Sequence, residues 1–237
     1  MSKPKQIGNV DIPTTKAIST FQAKLFSWYR SNGRHYPWRK SSASTYVRIV
    51  CEVLLQRTRA NTVAEFAPSF FKKYPSWRKL ASATEDQLQE DLKPIGLWQR
   101  RASSLSRLAI SMSERHGHFP KTRPEIESLP SVGQYIANAV LLLCYNQREP
   151  LLDTNMARVL ERHFGPRSLA DIRYDPYLQS LSSKVVTCKD PISMNWAILD
   201  LAALICTKAN PNHACCPVSY TCQYCSVEQR STNPSLE

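Results

Sequence analysis

An all-α fold follows from three observations on this chain. Apolar residues recur at helical spacing in block after block, no segment sustains the two-residue alternation of a strand, and Pro75, Pro94, Pro120, Pro130, Pro150 and Pro166 stand between the blocks, where a missing N–H costs least. No internal repeat is present. With 42% hydrophobic residues, the 237-residue chain can enclose one core or two small ones.

The helical blocks follow in order, with Gly, Pro or Asn as terminators. Block 17–32 ends at Asn32-Gly33, 45–57 is mostly apolar, 60–73 stops before Pro75, and 84–92 stops before Pro94. Block 98–116 runs to Gly117, 124–129 to Pro130, 134–145 to Asn146, and 154–164 to Gly165, a C′ terminator. Blocks 174–187 and 192–206 complete the series, the last running into a cysteine-rich stretch. Residues 1–16 and 228–237 are polar and are expected as flexible ends.

Charge narrows the partner. Thirty-one Lys and Arg against 19 Asp and Glu give +12, an excess beyond what solubility needs, which favours a polyanion and most simply a nucleic-acid backbone. No run of 18 apolar residues exists, and the opening Met-Ser-Lys-Pro-Lys-Gln-Ile-Gly-Asn lacks an apolar signal core, so an intracellular protein without a membrane partner is expected.

Four segments carry chemistry. In Tyr46-Val-Arg48-Ile-Val-Cys-Glu52-Val-Leu-Leu-Gln56-Arg57-Thr58-Arg59 a carboxylate interrupts an apolar helix; Glu52 either pairs with Arg48 one turn earlier or shares a polar stripe with Gln56 and Arg59 that points into a cleft. The segment from Pro124 through Leu129-Pro130-Ser131-Val132-Gly133-Gln134-Tyr135 reads as a short helix, a tight Pro-x-x-Gly hairpin and a longer helix whose first turn offers backbone N–H groups. It is either a phosphate-clamping helix-hairpin-helix or an ordinary αα-hairpin, and Gly133 supplies either a positive φ or room for a close approach. Further on, Met156, Val159, Leu160, His163 and Phe164 form one helical face, with Asp153 at the N-terminal edge as a cap or something more.

The fourth segment holds five of the eight cysteines, Cys206, Cys215, Cys216, Cys222 and Cys225, with His213 among them. Such a density of soft ligands points to a metal or an iron–sulfur cluster; a disulfide knot is the alternative, although Cys51, Cys144 and Cys188 are scattered singly.

In that order the four segments resemble the helix-hairpin-helix DNA glycosylases, the superfamily of endonuclease III and the MutY-type adenine glycosylases. The resemblance spans about residues 20–225 and rests on Tyr36-Pro37-Trp38-Arg39, Glu52-Val-Leu-Leu-Gln56-Arg57-Thr58, Leu129-Pro-Ser-Val-Gly133-Gln-Tyr135 and Leu152-Asp153-Thr-Asn155. Ile95-Gly96-Leu97-Trp-Gln-Arg100, Leu55-Gln-Arg57-Thr-Arg-Ala60 and Tyr135 look most like the thymine-DNA mismatch glycosylases of the Mig type.

The resemblance implies a two-lobed molecule. One lobe would be residues 37–148, six helices with the hairpin; the other would join 17–36 to 149–227 and end in an iron–sulfur loop. DNA would lie between the lobes, with Asp153 and Glu52 facing each other. The family spacing C-x6-C-x2-C-x5-C places Cys206, Cys216 and Cys222 on the first, third and fourth positions of a [4Fe–4S] site. His213 stands on the second, with Cys215 as its rival and Cys225 beyond the pattern; a Cys3His set on coordination chemistry alone would suit zinc. Ser131 departs from the family's glycine, which strains the hairpin if that position needs a positive φ.

The implied activity is hydrolysis of the N-glycosidic bond of a flipped base in double-stranded DNA carrying a mismatch, by a monomer acting in the cytoplasm or nucleoid. Asp153 would stabilise positive charge on the sugar and orient water, Asn155 would assist, and Glu52 would read the base. Tyr135 occupies the place of the Schiff-base lysine of bifunctional relatives, so strand cleavage by β-elimination is not expected. Gln56 and Leu97 would wedge into the vacated stack, Arg57 would meet the orphan base or a phosphate, and Ser131, Gly133 and Gln134 would bind the backbone. Thymine or uracil opposite guanine is the expected target. Adenine opposite guanine or 8-oxoguanine is the alternative, less favoured because the adenine enzymes append a further domain and this chain stops just after its cysteines. A non-catalytic DNA- or zinc-binding module is the third class, against which Asp153 and Glu52 both stand.

Overall fold

The computed structural model describes residues 12–232, the side chains of 228–232 excepted. Of the two loose ends expected, residues 1–11 and 233–237 lie outside the described residues, while the first helix already begins at Thr15 and the last continues to Thr232. All regular structure among the described residues is helical, and no helix there is long and apolar enough to cross a membrane. The chain divides into two compact units, one of His35–Gln147 and the other of Met1–Arg34 with Arg148–Glu237.

The unit His35–Gln147 opens on a short helical turn, Pro37–Arg39. There the Tyr36 and Trp38 rings stack at 4.6 Å, and the Tyr36 hydroxyl donates to Asn61 Oδ1 at 2.7 Å. Helix α2 (Thr45–Leu55) starts at a Ser44 cap and presents Ile49, Val50 and Leu54 to the interior, while α3 (Ala60–Lys73) buries Val63, Ala67 and Phe70. A short α4 (Trp77–Ala81) and α5 (Glu85–Leu92) pack on α6 (Trp98–Glu114), whose Leu105, Leu108 and Met112 are fully covered. Helix α7 (Arg123–Glu127) leads into α8 (Gln134–Tyr145), which is apolar nearly all round because it packs against α2 on one side and α7 on another.

In the other unit, α1 (Thr15–Asn32) packs on α10 (Pro176–Val186) and α11 (Pro191–Leu204), and α9 (Thr154–Phe164) is covered by α10, α11 and α12 (Gln223–Thr232). Phe21, Leu25, Met156, Leu160, Leu181 and Ile198 form the centre of its core. Two buried carboxylates organise the loops around it. Asp175, wholly covered, accepts from the backbone N–H groups of Ser168, Leu169 and Leu178, and Asp200 pairs with Arg34 at 2.7 Å.

His163 is the one imidazole placed in this core. Its ring lies 4.7 Å from Phe21, Nε2 is 3.3 Å from the Thr221 hydroxyl, and burial lowers its pKa to about 4. The folded value lies below the unfolded one near 6.5, so the unfolded chain takes up the proton first as pH falls. The stability contribution is therefore complete above about pH 6.5 and is lost between there and about pH 4, a change of roughly 3 kcal/mol. Unfolding free energies from urea titration of the native protein and His163→Phe, compared at pH 7.5 and 4.5, should diverge by most of that amount; parallel changes would show that the ring titrates normally.

Candidate active site and DNA interface

In the unit His35–Gln147, the candidate residues are brought to the ends of three helices. Glu52 sits in the middle of the buried face of α2, only 4% exposed, and accepts a hydrogen bond of 2.8 Å from the Tyr135 hydroxyl in the first turn of α8. Arg48 turns its guanidinium to the Lys40 and Ser41 carbonyls, so the local ion pair that would have explained Glu52 is replaced by a tertiary contact. A carboxylate in such a place costs several kcal/mol to desolvate unless hydrogen-bonded. The phenol donates into one oxygen of the carboxylate, a group that can only accept while ionised.

The hairpin between α7 and α8 resolves two open questions. Ser131 adopts φ +63°, the left-handed region where a side chain costs about 1 kcal/mol or more, so the residue that departs from glycine does stand at the strained position. Gly133 is extended, with φ −96°, and nothing lies within 4 Å of where its Cβ would be. Its use is therefore open space rather than a left-handed turn. As the N-cap of α8 it contributes no side-chain cap to the first turn, and the helix dipole favours an anion there. Arg123 fixes the hairpin's two arms by donating at 2.9 Å to the buried Asn138 Oδ1, a pair the sequence gives no signal for.

Gln56, Arg57 and Leu97 are exposed at two turns. Helix α2 ends two residues short of the expected block 45–57, and Arg57 follows with φ +59°; Leu97 caps α6 with φ +50°, after Gly96 at +70°. Forty-eight percent of Leu97 is exposed, which is unusual for a leucine held in a defined backbone conformation.

The other unit carries Asp153 as the N-cap of α9. Its Oδ1 accepts from the backbone N–H of Asn155 at 2.9 Å and Met156 at 2.8 Å, and Oδ2 accepts from the Asn155 side chain at 2.7 Å. Asn155 Oδ1 in turn accepts from Arg158 at 3.2 Å, and Arg158 donates to the carbonyls of Cys206 at 2.9 Å and Ala202 at 3.0 Å. The capping geometry is real, yet the carboxylate is only half-buried, so it remains open on one side.

The cysteine loop packs against α9. The Arg162 guanidinium lies 3.4 Å from Cys206 Sγ, donates to the carbonyls of Thr207 and Lys208, and covers the Tyr224 ring at 4.6 Å. Burial pushes the Cys216 thiol up to about 11, with neighbouring Cys222, Cys206 and Cys225 adding to it. Cys222 is raised too, first by burial, then opposed by the backbone N–H groups of Cys225 and Tyr224. Cys206, Cys216, Cys222 and Cys225 thus share one neighbourhood. Cys215 is exposed, and the His213 ring lies along that of Tyr224 at 5.9 Å. Among the described residues no disulfide forms and no group of three or more His, Cys, Asp or Glu is arranged to hold a metal ion. Four thiols in partly covered surroundings, with N–H groups aimed at sulfur, do fit the chemistry of a thiolate-held cluster, a wider body than one ion.

A helical pair joined by an N–H-rich hairpin, with a capped carboxylate following it, defines a class. The chain belongs to the HhH-GPD superfamily of base excision DNA repair proteins, which it matches over residues 50–175. It is 37% identical to a thymine-DNA glycosylase of Aeropyrum pernix, over 87% of this chain and 95% of that protein. A thymine/uracil-DNA glycosylase of Pyrobaculum aerophilum is 33% identical over 88% of this chain and 92% of its own length. The solved structure of a thermostable thymine-DNA glycosylase superposes with a TM-score of 0.81 at 29% identity, covering 90% of this chain and 98% of that one.

Proposed function

We propose that this protein is a mismatch DNA glycosylase of base excision repair that hydrolyses the N-glycosidic bond of thymine or uracil paired with guanine. The observation that carries the choice of base is the Tyr135 hydroxyl on Glu52. A carboxylate acts as an acceptor, which matches the N3–H of thymine or uracil, whereas adenine presents acceptors at N1, N3 and N7 and donates only from its exocyclic amino group. The near-complete overlap with thymine and thymine/uracil glycosylases supports the same reading.

The residues divide the work. A stacked base must be flipped out, which costs a few kcal/mol and least at a mismatch. Gln56 and Leu97 fill the gap, Arg57 meets the orphan base or a phosphate, and Ser131, Gly133 and Gln134 hold the backbone. As the bond to the base lengthens, positive charge grows on the sugar; the Asp153 carboxylate stabilises it and directs water, with Asn155 holding its second oxygen. Tyr135 has no amine with which to form an imine, so the strand stays intact after base release. The protein acts as a monomer on duplex DNA inside the cell.

Cys206, Cys216 and Cys222 hold a [4Fe–4S] cluster in this reading, and their shared neighbourhood favours Cys225 over His213 or Cys215 for the fourth place. A bound cluster would cross-link the loop that packs on α9.

Duplexes carrying T·G, U·G, A·G and A·8-oxoguanine, incubated with the protein and then treated with alkali, test the assignment. Alkali-dependent cleavage at T·G and U·G is expected, with no adduct trapped by borohydride. Release of adenine opposite 8-oxoguanine in place of thymine would replace this reading with an adenine glycosylase. Trapping by the native protein would end the monofunctional assignment.

A further inference from the structure

Arg101 is a buried cation whose four hydrogen bonds all reach the two turns that carry the exposed wedge residues. Its side chain begins in the first turn of α6 and is 4% exposed, and burial lowers its pKa from the usual arginine range. Nη1 donates to the Ile95 carbonyl at 2.7 Å and to the Gly96 carbonyl; Nη2 donates to the Gln56 carbonyl at 2.6 Å and to the Thr58 hydroxyl. None of these partners is a carboxylate. The Thr58 hydroxyl also reaches the Ile95 carbonyl at 3.5 Å, a second and weaker link between the turns.

A buried charge satisfied by neutral carbonyls is a poor route to stability, since an apolar side chain of similar volume would fill the same space without being desolvated, and Nε has no partner among the described residues. What the guanidinium does offer is a rigid fork that grips two strands of backbone at once. Both gripped turns are conformationally costly. Arg57, between Gln56 and Thr58, and Leu97, directly after Gly96, are non-glycine residues in the left-handed region. The bonds from Arg101 fall on the residues flanking these two positions.

We propose, resting on the glycosylase reading above, that Arg101 is a positioning residue that locks the Gln56–Thr58 and Ile95–Leu97 turns to each other, so that Gln56, Arg57 and Leu97 enter the duplex as one preformed wedge. Filling a vacated stack requires side chains that are already in place when the base leaves. Loose turns would be ordered only at that moment, and the cost would fall on flipping and not on bond cleavage.

Single-turnover base release is therefore to be compared on two substrates: thymine in a T·G duplex, and the same thymine in an unpaired bubble, where no stack needs filling. With Arg101→Met the duplex rate should drop by about tenfold or more while the bubble rate stays within about twofold. A 2-aminopurine next to the T·G thymine should brighten less on binding, because the stack opens less often. Thr58→Val, which removes one acceptor at the surface of the same network, should show the same split at about threefold. Arg101→Lys, with three donors and no fork, should rescue only part of the loss.

Equal losses on duplex and bubble would make Arg101 a support of the whole unit and overturn the proposal, as would unchanged rates on both. If Arg101→Met melts far below the native protein, Thr58→Val decides, and a Thr58→Val enzyme without a duplex-specific loss also overturns it. A native protein inactive on T·G while it releases another base would sink the choice of base, and the same variant comparison on that base would still test the wedge. A native protein that releases no base at all would sink the glycosylase reading, and the proposal with it.

Discussion

Asp153→Asn is expected to leave DNA binding nearly unchanged and to lower base release by about three orders of magnitude or more. The substitution separates two roles that one side chain combines. Asn is as good an N-cap as Asp, and its carbonyl oxygen can still accept from the backbone N–H groups of Asn155 and Met156. The position of Oδ2 becomes an amide nitrogen facing the Asn155 amide, which must turn over to accept from it. That adjustment, and a lost interaction with the helix dipole, cost about 1 kcal/mol of stability. The chemistry has no such substitute, because a neutral amide does not stabilise a developing positive charge. Single-turnover rates on a T·G duplex, with a melting curve and a binding isotherm, read all three quantities. An Asp153→Asn enzyme that turns over near the native rate would reduce this residue to a cap.

The second large effect is on the cysteine loop. Cys206→Ser, Cys216→Ser and Cys222→Ser should each abolish the broad visible absorbance and the bound iron of the purified protein. Without a metal, burial first and neighbouring thiols second would hold Cys216 protonated, with a pKa of about 11. Cys225→Ser and His213→Ala then separate the rival fourth ligands: iron lost with Cys225→Ser and retained with His213→Ala is the expected pair. The opposite pair would return the place to His213 and to the ungapped family spacing, and iron lost with Cys215→Ser alone would assign it to Cys215. A colourless native protein with stoichiometric zinc would reject the cluster.

The helical periodicity and its terminators locate most of the fold. The α9 face of Met156, Val159, Leu160, His163 and Phe164 is buried as its spacing requires. Helix α4 escapes such a reading because five residues are too few to display a period, and its Ser76 cap is visible only once the helix is known. The end of α2 is misjudged by two residues because Gln56 and Arg57 are themselves good helix formers, while Arg101 from another helix holds the Gln56 carbonyl in the turn. In the candidate site, residue types with a chemical purpose stood out, Glu52 in an apolar helix and Asp153 before one. Partners set by tertiary contact did not. Helical spacing aligns Arg101 with Leu105, Leu108 and Met112 and Arg100 with Ser104 and Arg107, which signals burial for Arg101 but not which backbone its guanidinium grips. The hairpin is intermediate: the sequence raised both explanations for Gly133, and only its extended backbone chooses between them.

The line Asp153, Asn155, Arg158 and the Cys206 carbonyl is an unbroken run of hydrogen bonds from the proposed catalytic carboxylate to the edge of the cysteine loop. Arg158 holds both ends with a single planar group, so a loop displaced in the proposed cluster's absence would pull on the guanidinium and, through it, on Asn155. Oxidants that attack thiols are among the agents that damage bases. In the proposed reading, injury to the loop's sulfur atoms would disarm the enzyme: the phosphate grip assigned to the hairpin of α7 and α8 would survive while excision lapsed.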